Sequence, residues 1–214
     1  MKQLKCFIVT GVSTSGKSSL VTDILSANPS EFYLSSSVTD REEKPRDKDS
    51  AKKYIYVSSK DFTDKIWSGY FLEWNPYGVH RYGTPSSVIV QALASKKHLL
   101  LEMDPVGTVK LLARKENKDA TLANVDLIPI FIYRKFDPRQ PVDFSDFDAF
   151  IRSQLEKREV KLLAEEKESR IGNAIQEYKE VFENKDKFIF IENKENNLLW
   201  MLNSFQSILK EKIA

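Results

Sequence analysis

Cysteine is almost absent from this 214-residue chain: Cys6 stands alone, so no disulfide can form within it. It sits in the apolar run Cys6-Phe7-Ile8-Val9, which predicts a buried structural thiol and a reducing, cytoplasmic setting. An excess of one charge is also lacking. The 33 basic residues nearly match the 31 acidic ones, leaving a formal charge of +2, which argues against a nucleic-acid or anionic-membrane binder. No apolar run approaches the roughly 20 residues that cross a bilayer, and the N-terminal one is too short for a signal peptide. His80 and His98 are isolated and offer no metal-ligand spacing. Internal repeats and low-complexity tracts are missing. What remains is 41% hydrophobic and 30% charged, an ordinary globular composition with enough chain for one core and small insertions.

Residues 4–10 form a short apolar, β-branched run that predicts a buried strand. Residues 11–16 make a loop of small side chains, and Leu20, Val21, Ile24 and Leu25 then recur at helical spacing up to Asn28-Pro29. Residues 35–53 are polar and charged and read as a solvated, mobile loop. Further on, the patterns predict a strand at 54–57, a short helix at 59–69 with Phe62, Ile66 and Trp67 on one face, and an irregular aromatic stretch at 71–82. A helix at 86–95 and strands at 98–103 and 127–133 follow. Ser145 with Asp148 looks like a capping box opening a charged helical region that runs to Glu183. Within it, Glu166 and Arg170 are spaced for an i,i+4 pair. After a strand at 188–191, the final helix carries Leu198, Met201, Leu202, Phe205, Ile208 and Leu209 on one stripe. Trp67, Trp74 and Trp200 read as packing residues. Strands separated by helices predict an α/β fold with a mainly parallel sheet.

Gly11-Val12-Ser13-Thr14-Ser15-Gly16-Lys17-Ser18 matches the phosphate-loop pattern GxxxxGK[ST], with a strand before it and a helix after it. At ordinary residue frequencies a chance match arises in about one chain per hundred of this length, before the flanking elements are required. Backbone N–H groups of such a loop point at phosphate oxygens, and the helix directs its positive end at the same anion. Lys17 would reach the β- and γ-phosphates of ATP, and the Ser18 hydroxyl would ligate Mg²⁺; Gly11, Ser13, Thr14, Ser15, Gly16 and Ser19 complete the expected ATP site. The motif fixes the donor site only, because GTPases, ATPases and kinases share it.

The remaining motifs, in order, are Ser37-Val38-Thr39-Asp40-Arg41, Pro45-Arg46, Tyr54-Ile55-Tyr56-Val57, Glu73 with Tyr82-Gly83-Thr84 nine residues later, and Glu102-Met103-Asp104-Pro105-Val106-Gly107. Arg170 with Ala174 and Glu177, and Asn193 after the last strand, complete the series. This order and spacing resemble the guanylate kinase family, from about residue 4 to the C-terminal helix. The resemblance implies a P-loop three-layer core (1–34, 85–134 and 171–214), a small nucleoside-monophosphate-binding insertion (35–84) and a helical lid (135–170). It implies that Ser37, Arg41, Arg46, Tyr54 and Tyr82 hold the GMP phosphate, and that Glu73, Thr84 and Asp104 read the guanine. Glu102, where the family has aspartate, would hold a metal-bound water. Lys17, Arg41, Arg170 and Arg158 would neutralise the transferring group, with Arg152 as a further lid arginine.

The chemistry fits independently. Guanidinium forks suit a phosphate dianion, and a carboxylate accepts from the N1–H and 2-amino group of guanine, which adenine does not match. The expected reaction is in-line transfer of the ATP γ-phosphoryl group to GMP, with Mg²⁺ as the cofactor and a monomer or homodimer as the acting species. Three features depart from the family pattern: R-x-P-R is stretched to Arg41-Glu42-Glu43-Lys44-Pro45-Arg46, Val106 replaces a glutamine, and the lid lacks R-G-T. A related kinase with another phosphorylated acceptor, such as dGMP or a sugar phosphate, and a binding module that has lost catalysis are the alternatives. A GTPase fits poorly, since Asn196 breaks the needed N-K-x-D after Asn193-Lys194-Glu195.

Overall fold

A computed structural model describes residues 3–43, 47, 51, 54–158 and 164–213. Strand β1 (Leu4–Thr10) is buried on both faces except at Lys5, the pattern of a central parallel strand. It lies in the middle of a five-stranded sheet ordered β2 (Phe32–Leu34), β7 (His98–Glu102), β1, β8 (Val125–Tyr133) and β9 (Ile189–Glu192), with every pairing parallel. Helices α1 (Lys17–Ala27) and α7 (Leu198–Ile213) cover one face, packing Leu20, Ile24 and Phe205 on Phe7 and Val9. On the other face, α3 (Ser87–Ala94) and α4 (Pro105–Glu116) set Val88, Ala92 and Leu111 against Cys6 and Ile8. Helices α5 (Phe144–Arg158) and α6 (Ala164–Glu183) extend this layer through Phe147, Ile151 and Tyr178 around Phe131. Each fully buried Val, Leu, Ile or Phe side chain among these contributes about 1.5–3 kcal/mol. The result is a three-layer α/β fold.

Chain order reverses beside β1, which has β7 on one side and β8 on the other. Ligands of open α/β sheets bind at such a switch point, beyond the carboxyl ends of the strands. Over that end stands a second sheet, ordered β4 (Tyr54–Tyr56), β3 (Ser37–Thr39), β6 (His80–Pro85) and β5 (Phe71–Tyr77). Helix α2 (Ser59–Trp67) covers it, burying Phe62 on Val38 and Phe71.

Several expectations need correction. Residues 71–82 lie in an antiparallel hairpin, not an irregular stretch. Its inward positions include Glu73 and Asn75, and these polar groups hid the alternation of a strand. Inside the supposed solvated loop, β3 is fully buried, and Asp40 is held by Arg81 through the backbone N–H and Nε, both at 2.7 Å. Helix α5 is capped by Asp143, whose Oδ1 accepts from the Ser145 N–H at 2.8 Å, so Ser145 is inside the helix rather than its cap. Trp67 and Trp200 are 84% and 55% exposed, because each falls on the solvent side of its helix. Helix α4 was not foreseen. Asp104 is its N-cap and Pro105 its first residue, an ordinary helix start hidden inside a motif read for its chemistry.

Candidate active site

The loop joining β1 to α1 turns on Gly16, whose φ of 101° lies in the left-handed region. A Cβ there would stand 2.7 Å from the Asn193 amide nitrogen, which donates to the Ser15 carbonyl at 2.8 Å. A side chain at this position would therefore strain the turn and dislodge its tether. No side chain caps α1, which leaves its first N–H groups facing the loop. The Lys17 ammonium donates to the carbonyls of Gly11 and, at 3.0 Å, Val12. Ser18 Oγ donates to Glu102 Oε1 at 2.6 Å, bringing a hydroxyl and a carboxylate together beside the loop. Arg134, at the end of β8, reaches the Gln154 side chain at 2.9 Å and the Thr14 carbonyl at 3.5 Å.

Across the cleft, β3 aligns Ser37 with Tyr54 and Thr39 with Tyr82. The Arg41 guanidinium stacks 4.7 Å from the Tyr54 ring centre and donates to Asp47 Oδ2 at 2.7 Å. Tyr56 donates its hydroxyl to the same oxygen at 2.9 Å. Burial works against the charge on Arg41, but the bond and charge of Asp47 outweigh it and hold the guanidinium protonated.

Deeper in, Glu73 Oε1 accepts from the Thr84 hydroxyl at 2.7 Å, a pair set by cross-strand register. Its other oxygen presses on the start of α4: a Cβ on Gly107 would lie 2.7 Å from Glu73 Oε2 and 3.4 Å from Asp104 Oδ2. Only glycine lets both carboxylates approach one point. Asp104 Oδ1 accepts from the Gly107 N–H at 2.8 Å and from Asn75 Nδ2 at 2.9 Å.

These walls enclose a cleft of about 690 Å³, closed on a third side by α6. Arg170 faces it and pairs with Glu166 at 3.0 Å. Glu177 lies deeper on the same helix, 3% exposed, and its Oε2 has no hydrogen-bond partner among the described residues. Burial pushes its carboxyl up to about 8; Lys17 pulls the other way and Asp104 adds to the rise. Glu177 in turn raises the Tyr77 hydroxyl, itself displaced mainly by burial.

The sequence model of guanylate kinase matches residues 3–209. The chain belongs to the guanylate kinase family. It is 34% identical over 110 residues to a protein named guanylate kinase from Lactiplantibacillus plantarum, covering 51% of this chain and 53% of that one. A guanylate kinase from Rubrobacter xylanophilus is 34% identical over 122 residues, covering 57% and 62%. The matched stretch thus spans a little over half the length of these relatives. The crystal structure of guanylate kinase from Anaplasma phagocytophilum shares the fold, with a TM-score of 0.61 at 16% identity over 99% of this chain and 87% of that one.

Of the residues singled out from the sequence, Ser13, Thr14, Lys17, Ser18, Glu102 and Arg170 line the cleft. Ser37, Arg41, Tyr54, Glu73, Tyr82 and Asp104 line it from the other side. Thr84 sits behind Glu73, while Gly11, Ser15 and Gly16 frame the loop without lining the cleft. Ser19 is exposed on α1 away from that lining. Arg152 bridges Asp148 and Glu168 and does not line the cleft. Arg46 and the side chain of Arg158 lie outside the described residues. Sequence reasoning missed Asp47, Asn75 and Arg134 and gave Glu177 no role. A signal existed for Glu177: it falls on the stripe of α6 that buries Ile171, Ala174, Tyr178 and Val181, where a carboxylate is out of place.

Proposed function

We propose that this protein transfers the γ-phosphoryl group of ATP to GMP, yielding ADP and GDP. The observation that carries this reading is the convergence of an intact phosphate loop, a stacked arginine and two carboxylates on one cleft. Guanine offers its N1–H and both amino hydrogens on one edge, and two carboxylates accept all three; adenine presents an unprotonated ring nitrogen there. Glu73, oriented by Thr84, takes the N1 side, and Asp104 takes the remaining amino hydrogen. Ser37, Arg41, Tyr54 and Tyr82 surround the acceptor phosphate, and Arg46 joins them in this reading. Asp47 holds the guanidinium in place until that dianion arrives.

On the donor side Lys17 leaves the Gly11 and Val12 carbonyls for the phosphates of ATP. The acceptor oxygen is already ionised, so no general base is needed, and catalysis consists of positioning and charge stabilisation. Ser18 and Glu102 form an all-oxygen donor pair suited to Mg²⁺, which keeps most of its waters and is shared with substrate phosphates. When bound, the ion would neutralise charge on the β- and γ-oxygens. Segment 135–170, which carries Arg158 and Arg170, serves as a lid that excludes water, and segment 35–84 as the acceptor-binding unit. Among the described residues no helix is long and apolar enough to cross a membrane. With a buried free thiol at Cys6, we assign the activity to the cytoplasm.

The test is ADP release from ATP and Mg²⁺ with GMP, dGMP, AMP, UMP or CMP as acceptor. Turnover with GMP, alone or together with dGMP, is expected. Equal slow ATP loss without any acceptor, or GMP binding with no turnover, would overturn the reading.

A further inference from the structure

We infer that Asn75 and Lys110 are positioning residues that aim Asp104 at the amino group of the bound purine; the inference rests on the guanine reading above. Asn75 is 4% exposed, lies on β5 two residues beyond Glu73, and does not line the cleft. Its Nδ2 donates to Asp104 Oδ1 at 2.9 Å, while its own Oδ1 accepts from the Lys110 ammonium. The Gly107 N–H donates to the same Asp104 oxygen at 2.8 Å. Two donors thus hold Oδ1 from behind. Oδ2 is left turned toward the point beside Gly107 that Glu73 also approaches.

A carboxamide can present either end to a neighbour, and its own backbone does not decide which. Lys110 decides it here. An ammonium only donates, so it claims the carbonyl end of Asn75 and turns the NH₂ end toward Asp104. The flipped amide would set an oxygen against the Asp104 carboxylate in a buried position, with two acceptors facing and no proton between them. Lys110 follows Gly107 by three residues on α4, which puts it on the face that meets β5. The chain runs Lys110 to Asn75 to Asp104, with the last link touching the ligand. None of the three is a proton donor in the reaction.

Kinetics with GMP and IMP at saturating ATP test this, because IMP lacks the 2-amino group. Asn75→Ala is expected to raise the KM for GMP about tenfold or more, with kcat and the KM for ATP within about twofold. The ratio of kcat/KM for GMP over IMP should collapse, since IMP gains nothing from Asp104. Lys110→Met should shrink the ratio less, and Lys110→Arg, which keeps a donor-only head, should restore it. A ratio unchanged in Asn75→Ala, with circular dichroism and melting like the wild type, would overturn the inference. A network that merely fastens α4 to β5 would weaken both acceptors alike. Should the wild type fail to release ADP with GMP, the functional reading falls instead. Calorimetric affinities of GMP and IMP for wild type and Asn75→Ala then decide the inference by the same ratio.

Discussion

The two sides of the cleft are built in opposite ways. The donor side is one contiguous loop between β1 and α1, where backbone N–H groups and a helix terminus face the cleft and would do most of the binding. The acceptor side is gathered from residues 37 to 104, on all four strands of the small sheet and the N-cap of a helix in the core. Side chains line it there, each held by a neighbour: Thr84 on Glu73, Asp47 on Arg41, Asn75 on Asp104. A backbone cradle recognises any polyphosphate. A set of oriented side chains can distinguish one base from another.

The largest effect should come from the donor side. Lys17→Met removes the cation at the head of α1, and turnover with GMP should fall about 10³-fold, as when a preorganised charge stabiliser is deleted. GMP affinity measured without ATP should stay close to that of the wild type. A matching loss of GMP affinity would show that the two sides are not separate. On the acceptor side, Glu73→Gln replaces an acceptor by an amide that must present a donor to guanine. Here kcat/KM for GMP should drop about 10²-fold while the KM for ATP barely moves. Unchanged GMP turnover would remove Glu73 from the base site.

The smallest effect concerns Glu177, which lies between the two sides near Lys17, Asp104 and Tyr77. In the unfolded chain its carboxyl ionises near 4.5, but in the fold it holds its proton to about 8. The folded form therefore binds the extra proton between those values. Stability declines as pH rises through this window and levels off above it. Glu177→Gln should abolish that decline, so the variant's melting temperature gains on the wild type's as pH rises from 5 to 9. A difference between variant and wild type that does not change with pH would contradict a buried neutral carboxyl.

The same contrast explains what could be read from the sequence. The phosphate loop was legible because its geometry is local: two glycines, a lysine and a serine at fixed spacing between a strand and a helix. Glu73 and Thr84 were legible only through the family resemblance that their spacing carries; the cross-strand register that joins them by a hydrogen bond was not. Asp47 was invisible because it stands in a charged run, and only the fold buries it against Arg41. Asn75 and Lys110 lie on different elements 35 residues apart, with no motif to join them. Helix α4 escaped notice because its N-cap doubles as a cleft-lining carboxylate. Polar residues on inward strand positions likewise disguised β5, so the acceptor sheet was the least readable part of the fold.

Backbone amide shifts in ¹⁵N-labelled protein, titrated separately with GMP and with ATP–Mg²⁺, test the two-sided account most directly. GMP should move the amides of Gly83 and Gly107 and leave Gly16 and Lys17 nearly still, whereas ATP–Mg²⁺ should do the reverse. If GMP moves only the amides at Gly16 and Lys17, or both nucleotides move one common set, the acceptor pocket described here does not exist.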